Sequence, residues 1–243
     1  MSAEMDSAAA QHVAELHRHH RDVTGGWLRP AVFGVMDGLV SNASLIAGVV
    51  GSGASGGTVA VAGLAGLAAG AFSMATGEYT SVRSQTEMTL AEIDVERREI
   101  ARNPEAEQRE LAMVYQARGL TPELAAEVAR QLHRHDEIAW RVHAREELGV
   151  DPDDLPSPWV AAGSSFVAFA LGALLPVLPF LFGLGSVTAA VALTAAGLFV
   201  TGALVARLTG RSLLFGGARQ LLLGAAAAAV TYGIGHLVGT AIG

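Results

Sequence analysis

The sequence predicts an all-α membrane protein with five transmembrane helices and a cytoplasmic three-helix insert between spans two and three. Three observations carry this expectation. Of 243 residues, 51% are hydrophobic. The apolar residues collect into five runs, near 29–50, 58–82, 157–181, 186–208 and 212–240, and about 20 residues suffice to cross a bilayer as a helix. Between the second and third runs, residues 83–156 are polar, with apolar positions recurring at three- and four-residue steps as in amphipathic helices. The chain therefore divides into a His-rich tail (1–28), spans one and two (29–82), the insert (83–156) and spans three to five (157–243).

The tail, "MSAEMDSAAAQHVAELHRHHRDVTGG", has no apolar core and does not read as a cleavable signal peptide. Its "HRHHRD" has two readings, a metal-gathering tract or a disordered end. Within the insert, Asn103–Pro104 and Gly119–Leu120–Thr121–Pro122 punctuate the helices. Thr121 with Pro122 behind it is a helix start, because proline at the first helical position gives up an amide that has no partner there. "DPDDLPSP" closes the insert ahead of span three. Many of the 29 glycines lie inside the apolar runs, as membrane helices tolerate.

Charge placement narrows both orientation and partners. The insert holds ten arginines and seventeen acids, which accounts for the whole net charge of −7 and argues against nucleic acid. Arg18, Arg21 and Arg29 precede span one, and Arg207, Arg211 and Arg219 join spans four and five, whereas "GSGASGG" and "FGLGS" are uncharged. With five spans every arginine falls on one side. The positive-inside rule then predicts a cytoplasmic N-terminus and insert and an external C-terminus, at the cell membrane if the chain is bacterial. Without cysteine there is neither a disulfide nor a thiolate metal site.

Two acids remain within the spans, Asp37 and Glu78. An intramembrane charge costs at least about 3 kcal/mol on the insertion scale and marks function by default. At 1.5 Å per residue, Asp37 and Met74 are each expected about 12 Å in from the cytoplasmic end of their spans, with Glu78 about 6 Å in. Both spans carry small-residue stripes, Gly34–Asp37–Ser41–Ser44–Gly48 and Gly63–Gly66–Gly70–Met74–Gly77, which let helix backbones approach closely. Two carboxylates beside a thioether suit a borderline divalent transition metal, and carboxylates take up protons when the ion leaves. The alternative is structural: Asp37 bonds a neighbouring helix, Glu78 snorkels to the interface and Met74 fills space. There is no Walker sequence to supply nucleotide energy.

The insert offers a second set of ligands. Glu96 with Glu99, and Glu107 with Glu110, are three apart and share a helix face, and His143, Glu146 and Glu147 close the last helix. Two helices so equipped can grip an ion between them. Equally, they can be solvated faces neutralised by Arg97 and Arg98.

The stretches "DGLVSNASLIAGV", "AGAFSMATGEYTSVRSQ", "ERREI" and "REELGV" resemble the vacuolar iron transporter family in its bacterial branch, from about Trp27 to the end of the chain. The resemblance implies a homodimer of five-span subunits around a path for ferrous iron exchanged for protons, with Mn²⁺, Co²⁺ or Zn²⁺ able to use the same sites and no permanently bound cofactor. Asp37 and Met74 match the path residues of the family. Glu96, Glu99, Glu107, Glu110 and Glu147 match its cytoplasmic metal-collecting glutamates. Three departures stand out. Plant members have a glutamate where this chain has Gly66, and this chain has Glu78 instead, one turn after Met74. His143 and Ala144 replace a methionine pair, and an imidazole broadens metal preference and makes loading sensitive to pH. The acids that open span one in plant members have no counterpart here.

Two other functions compete. A metal sensor or scaffold would bind ions in the insert without moving them and would not need Asp37 or Glu78. A di-iron oxidase of ferritin type needs Glu-x-x-His, which occurs nowhere in the chain.

Overall fold

The computed structural model describes residues 26–242, so the histidine tract at 17–20 lies outside the described residues. Among the described residues eight helices follow in order: α1 (Leu28–Gly51), α2 (Gly56–Arg102), α3 (Pro104–Ala117), α4 (Pro122–Leu132), α5 (Asp136–Glu146), α6 (Pro158–Leu181), α7 (Val187–Leu208) and α8 (Leu213–Ile242). Among the described residues there is no strand. Five helices, α1, α2, α6, α7 and α8, are long and apolar enough to cross a membrane. Their bounds fall within about two residues of the predicted runs, except at the end of α2.

The second span does not stop where its apolar run stops. It continues as one helix of 47 residues to Arg102. Residues 83–102 contain neither glycine nor proline, and a change from apolar to charged side chains does not interrupt backbone hydrogen bonding. The helix ends at Asn103 because Pro104 has no amide to donate and its ring crowds the preceding turn. Pro104 instead opens α3 at a position where the missing amide costs nothing. Residues 83–156 thus hold the end of α2 and three whole helices, α3, α4 and α5. The Thr121 side chain accepts the Leu124 amide at 3.4 Å and caps α4. Just before it, Gly119 takes φ +101, a conformation that favours glycine, and turns the chain out of α3.

The chain forms two compact units. One takes the described residues up to Ala71 and from Ser164 onward, the other Phe72–Gly163. In the first, α8 packs on α1 and α7, and α7 also reaches α1. Ile46, Val59, Val177, Phe180 and Ala190 form its buried cluster, drawn from α1, α2, α6 and α7. Glycines of α1 and α2 are used for close approach here, Gly34, Gly63 and Gly70 against α6, Gly66 against α1 and Gly48 against α8. A Cβ at Gly38 would lie 2.9 Å from the Ala173 amide nitrogen and collide with the Phe169 carbonyl, and one at Gly172 would collide with the Val35 carbonyl. Glycine on both sides lets α1 and α6 touch backbone to backbone. Pro176 and Pro179 lie inside α6, as membrane helices permit when neighbours take up the freed carbonyls.

In the second unit, Ile93 and Ile100 of α2 pack with Ala139, Trp140 and Ala144 of α5. Leu111 and Ala112 of α3 pack with Ala125 and Ala129 of α4. The "DPDD" segment folds back on α5 through ion pairs, Arg141 to Asp153 at 2.7 Å and Arg145 to Asp151 at 2.8 Å. Near the start of the unit, the Tyr79 and Trp159 rings lie 4.7 Å apart.

Candidate metal centre

The second unit brings together residues from three places in the sequence. Glu96 lies on the charged part of α2, beyond its apolar run. His143 is in the last turn of α5, and Glu147 caps that helix. His143 Nδ1 lies 2.9 Å from Glu96 Oε1 and 2.7 Å from Glu147 Oε1. One ligand atom from each residue falls within 4.8 Å of the others. His143 is fully buried and Glu96 is 7% exposed. The helix period explains why. Ile93, Glu96 and Ile100 share one face of α2, and Ala139, Trp140, His143 and Ala144 share one face of α5. Packing the apolar members of those faces forces Glu96 and His143 into the same interior.

The electrostatics follow from that burial. Removal from water, with the Glu107, Glu99 and Glu110 carboxylates nearby, pushes Glu96 up to about 7. Burial, and then the charges of Glu96, Glu110, Glu107 and Glu99, push Glu147 up to about 7 as well. Glu107 is raised by burial and by Glu110 and Glu99. His143 moves the other way, down to about 4, because burial and the adjacent His133 disfavour the imidazolium. A neutral imidazole between two carboxyl groups that gain protons near neutrality can ligate a divalent cation. It also holds protons and the cation in competition for the same atoms.

Each sequence-predicted residue of the insert has a definite place. Glu96, His143 and Glu147 form the close cluster. Glu99, Glu107 and Glu110 lie near enough to raise its carboxyl groups, Glu99 and Glu110 exposed and Glu107 half-buried. Glu146 turns away, pairing with Arg118 and accepting from the Tyr115 hydroxyl at 3.4 Å. The arginines expected to neutralise the glutamate faces have other engagements. Arg97 stacks 3.9 Å over the Trp140 ring and lies 3.9 Å from Asp94, and Arg98 donates to the Asp94 carbonyl at 3.0 Å.

The span residues fall in both units. Asp37, on α1 in the first unit, is half-buried, and its carbonyl accepts the Ser41 hydroxyl at 2.5 Å. Met74 and Glu78, four apart on α2 in the second unit, are half-buried. Sequence reasoning missed two residues. Asn42, 2% exposed, donates from Nδ2 to the Ala173 carbonyl at 2.6 Å and the Gly63 carbonyl at 3.2 Å, joining α1, α6 and α2. Its Oδ1 has no hydrogen-bond partner among the described residues. A Cβ at Gly66 would lie 2.8 Å from that Oδ1, so the Asn42 amide takes the space a larger side chain at position 66 would need. An asparagine in an apolar run was the available signal. The second, His133, meets His143 at 3.2 Å between Nε2 atoms, and nothing in its local pattern set it apart.

A multi-span helical membrane protein whose polar unit holds a partly buried carboxylate–imidazole cluster of a kind that could hold a divalent cation is the class that fold and site define. The chain belongs to the VIT family, whose profile matches residues 28–236. It is 40% identical to the vacuolar iron transporter of Acanthamoeba castellanii over 220 residues, 88% of this chain and 79% of that protein. It is 30% identical to vacuolar iron transporter 1 of Oryza sativa subsp. japonica, over 96% of this chain and 93% of that one. With vacuolar iron transporter 1 of Arabidopsis thaliana it shares 29% identity over 94% and 92%.

Proposed function

We propose that this protein is a secondary transporter that moves Fe²⁺, and Mn²⁺, Co²⁺ or Zn²⁺ less selectively, out of the cytoplasm in exchange for protons. The observation that carries the reading is the Glu96–His143–Glu147 cluster, in which Glu96 and His143 are buried, Glu147 is exposed, and the two carboxyl groups are held up to about 7. A metal entering such a site displaces protons, and protons returning release the metal. That is the chemistry an exchanger needs, and the relatives named as iron transporters supply the cargo.

In this reading residues 83–156 collect metal on the cytoplasmic side. Glu96, Glu147 and His143 hold the ion, and Glu99, Glu107 and Glu110 attract it and complete its oxygen shell. Asp37, Met74 and Glu78 pass it through the membrane, oxygen and sulfur donors together favouring a transition metal over calcium or magnesium. The one-sided arginines support a cytoplasmic N-terminus and insert and an external C-terminus. The working form is a homodimer in the cell membrane.

The test is flux. Purified protein in liposomes should take up Fe²⁺ under a pH gradient, and Asp37→Ala should abolish uptake while leaving detergent-extracted protein folded. Full uptake by Asp37→Ala would remove that residue from the path. Metal binding without flux in the unmodified chain would establish a sensor or scaffold instead.

A further inference from the structure

The pair of imidazoles behind the carboxylates carries a constraint of its own. His133 follows α4, and its Nδ1 lies 3.0 Å from the Ala129 carbonyl oxygen. A carbonyl oxygen only accepts, so a neutral His133 carries its proton on Nδ1 and leaves Nε2 as a lone pair. That lone pair faces His143 Nε2 at 3.2 Å, with the rings edge to face at 85°. Two lone pairs in contact repel, so His143 must carry its own proton on Nε2 and donate to His133. A neutral ring has one such proton. His143 Nδ1 is then bare, and it points at Glu96 Oε1 and Glu147 Oε1, 2.9 and 2.7 Å away. Glu96 Oε1 and His143 Nδ1 are both buried, with no hydrogen-bond partner among the described residues. When both carboxyl groups are ionised, three electron pairs converge on one spot, an arrangement that a divalent cation stabilises.

We infer that His133 is a positioning residue for the metal centre: by accepting the Nε2 proton of His143, it holds that ring in the tautomer whose Nδ1 can ligate a divalent transition metal. The inference rests on the metal-binding reading of the Glu96 cluster. It differs from the common arrangement in which a metal-bound histidine donates its far N–H to a carboxylate or carbonyl, because here the acceptor is a second imidazole. That second imidazole is itself oriented by the Ala129 carbonyl, so donation runs from His143 through His133 to α4 and leaves His143 Nδ1 free of a proton on the carboxylate side.

The experiment uses the full chain in detergent, with Co²⁺ as the probe because its visible absorption reports nitrogen ligation. In the metal-free protein labelled with ¹⁵N-histidine, His143 should show the Nε2–H tautomer, and Co²⁺ should perturb its Nδ1. His133→Leu should weaken Co²⁺ binding by about 10- to 100-fold. His133→Gln, whose amide oxygen can accept the same proton, should stay within about threefold of the unmodified chain. An Nδ1–H tautomer in the unmodified chain, which an imidazolium at His133 would impose, overturns the inference, and so does an equal loss in the Leu and Gln variants. The two readings fail separately. Binding abolished by Glu96→Gln but unchanged in His133→Leu removes only the role of His133. No Co²⁺ binding by the unmodified chain removes the metal centre with it.

Discussion

Glu96 Oε1 and His143 Nδ1 sit 2.9 Å apart in a buried interior, although one belongs to the helix that carries the second span and the other to the last helix of the insert. The contact joins a group that gains a proton near neutrality to one that stays neutral there. The pH behaviour of the candidate metal centre follows from that pairing.

Metal affinity should fall steeply with acid. Glu96 and Glu147, raised from the ordinary 4.5 to about 7, must both ionise to bind a cation well. His143, lowered to about 4, adds no proton competition above pH 5. Co²⁺ titrations of the full chain should therefore show affinity levelling off above pH 8. Below pH 6 the affinity should drop toward about 100-fold per pH unit, the limit for two protons released per ion. An affinity unchanged between pH 6 and 8 would contradict the assignment.

Stability of the metal-free protein should move the opposite way from metal affinity. A carboxyl group raised in the folded state contributes stability that is fully present below about 4.5 and is lost as pH rises through about 7. The depressed imidazole of His143 contributes stability present above its ordinary 6.5 and lost as pH falls toward about 4. Two carboxyl groups outweigh one imidazole, so the net effect from pH 5 to 7 is loss with rising pH. Thermal unfolding followed by tryptophan fluorescence should give a melting temperature at pH 8 at least about 3 °C below that at pH 5.5. Added Co²⁺ should reverse the difference.

His143→Met restores the thioether that the family resemblance places at this position. An imidazole suits zinc and cobalt better than a thioether does, so the variant should lose about tenfold in Zn²⁺ and Co²⁺ affinity. Competition of each metal against Fe²⁺ under anaerobic conditions measures this, and an unchanged metal ranking would place His143 outside the coordination shell.

Gly38→Val should abolish the close approach of α1 and α6, since even a methyl group there meets the Phe169 carbonyl and the Ala173 amide. Overpacking costs about 1–3 kcal/mol where neighbours can yield, and more against backbone. Gly77→Ala is the matched control. Nothing lies within 4 Å of a Cβ at Gly77, and helix propensity favours the change by about 1 kcal/mol. Thermal stability in detergent should fall sharply in the first variant and hold or rise in the second.

Five apolar runs, the capping Thr121 and the glutamate spacings of the insert were legible in the chain itself, because each depends on neighbours within one or two helical turns. The continuation of α2 to Arg102 is not marked by hydropathy: composition changes near Val82, but nothing there breaks a helix before Asn103–Pro104. The partners of the small-residue stripes, on α6, α1 and α8, could not be read, because a stripe shows that something comes close without saying what.

The sequence by itself determined that this is a multi-span helical protein with acids in two of its spans and a glutamate-rich polar insert, since hydropathy and helical period are properties of consecutive residues. Only the tertiary structure decided which acids act together. Side-by-side packing of α2 and α5 selects Glu96, His143 and Glu147, turns Glu146 to Arg118 and sets His133 behind His143. Desolvation and proton sharing depend on what lies within a few ångströms in space, and that distance exists only once the helices have packed.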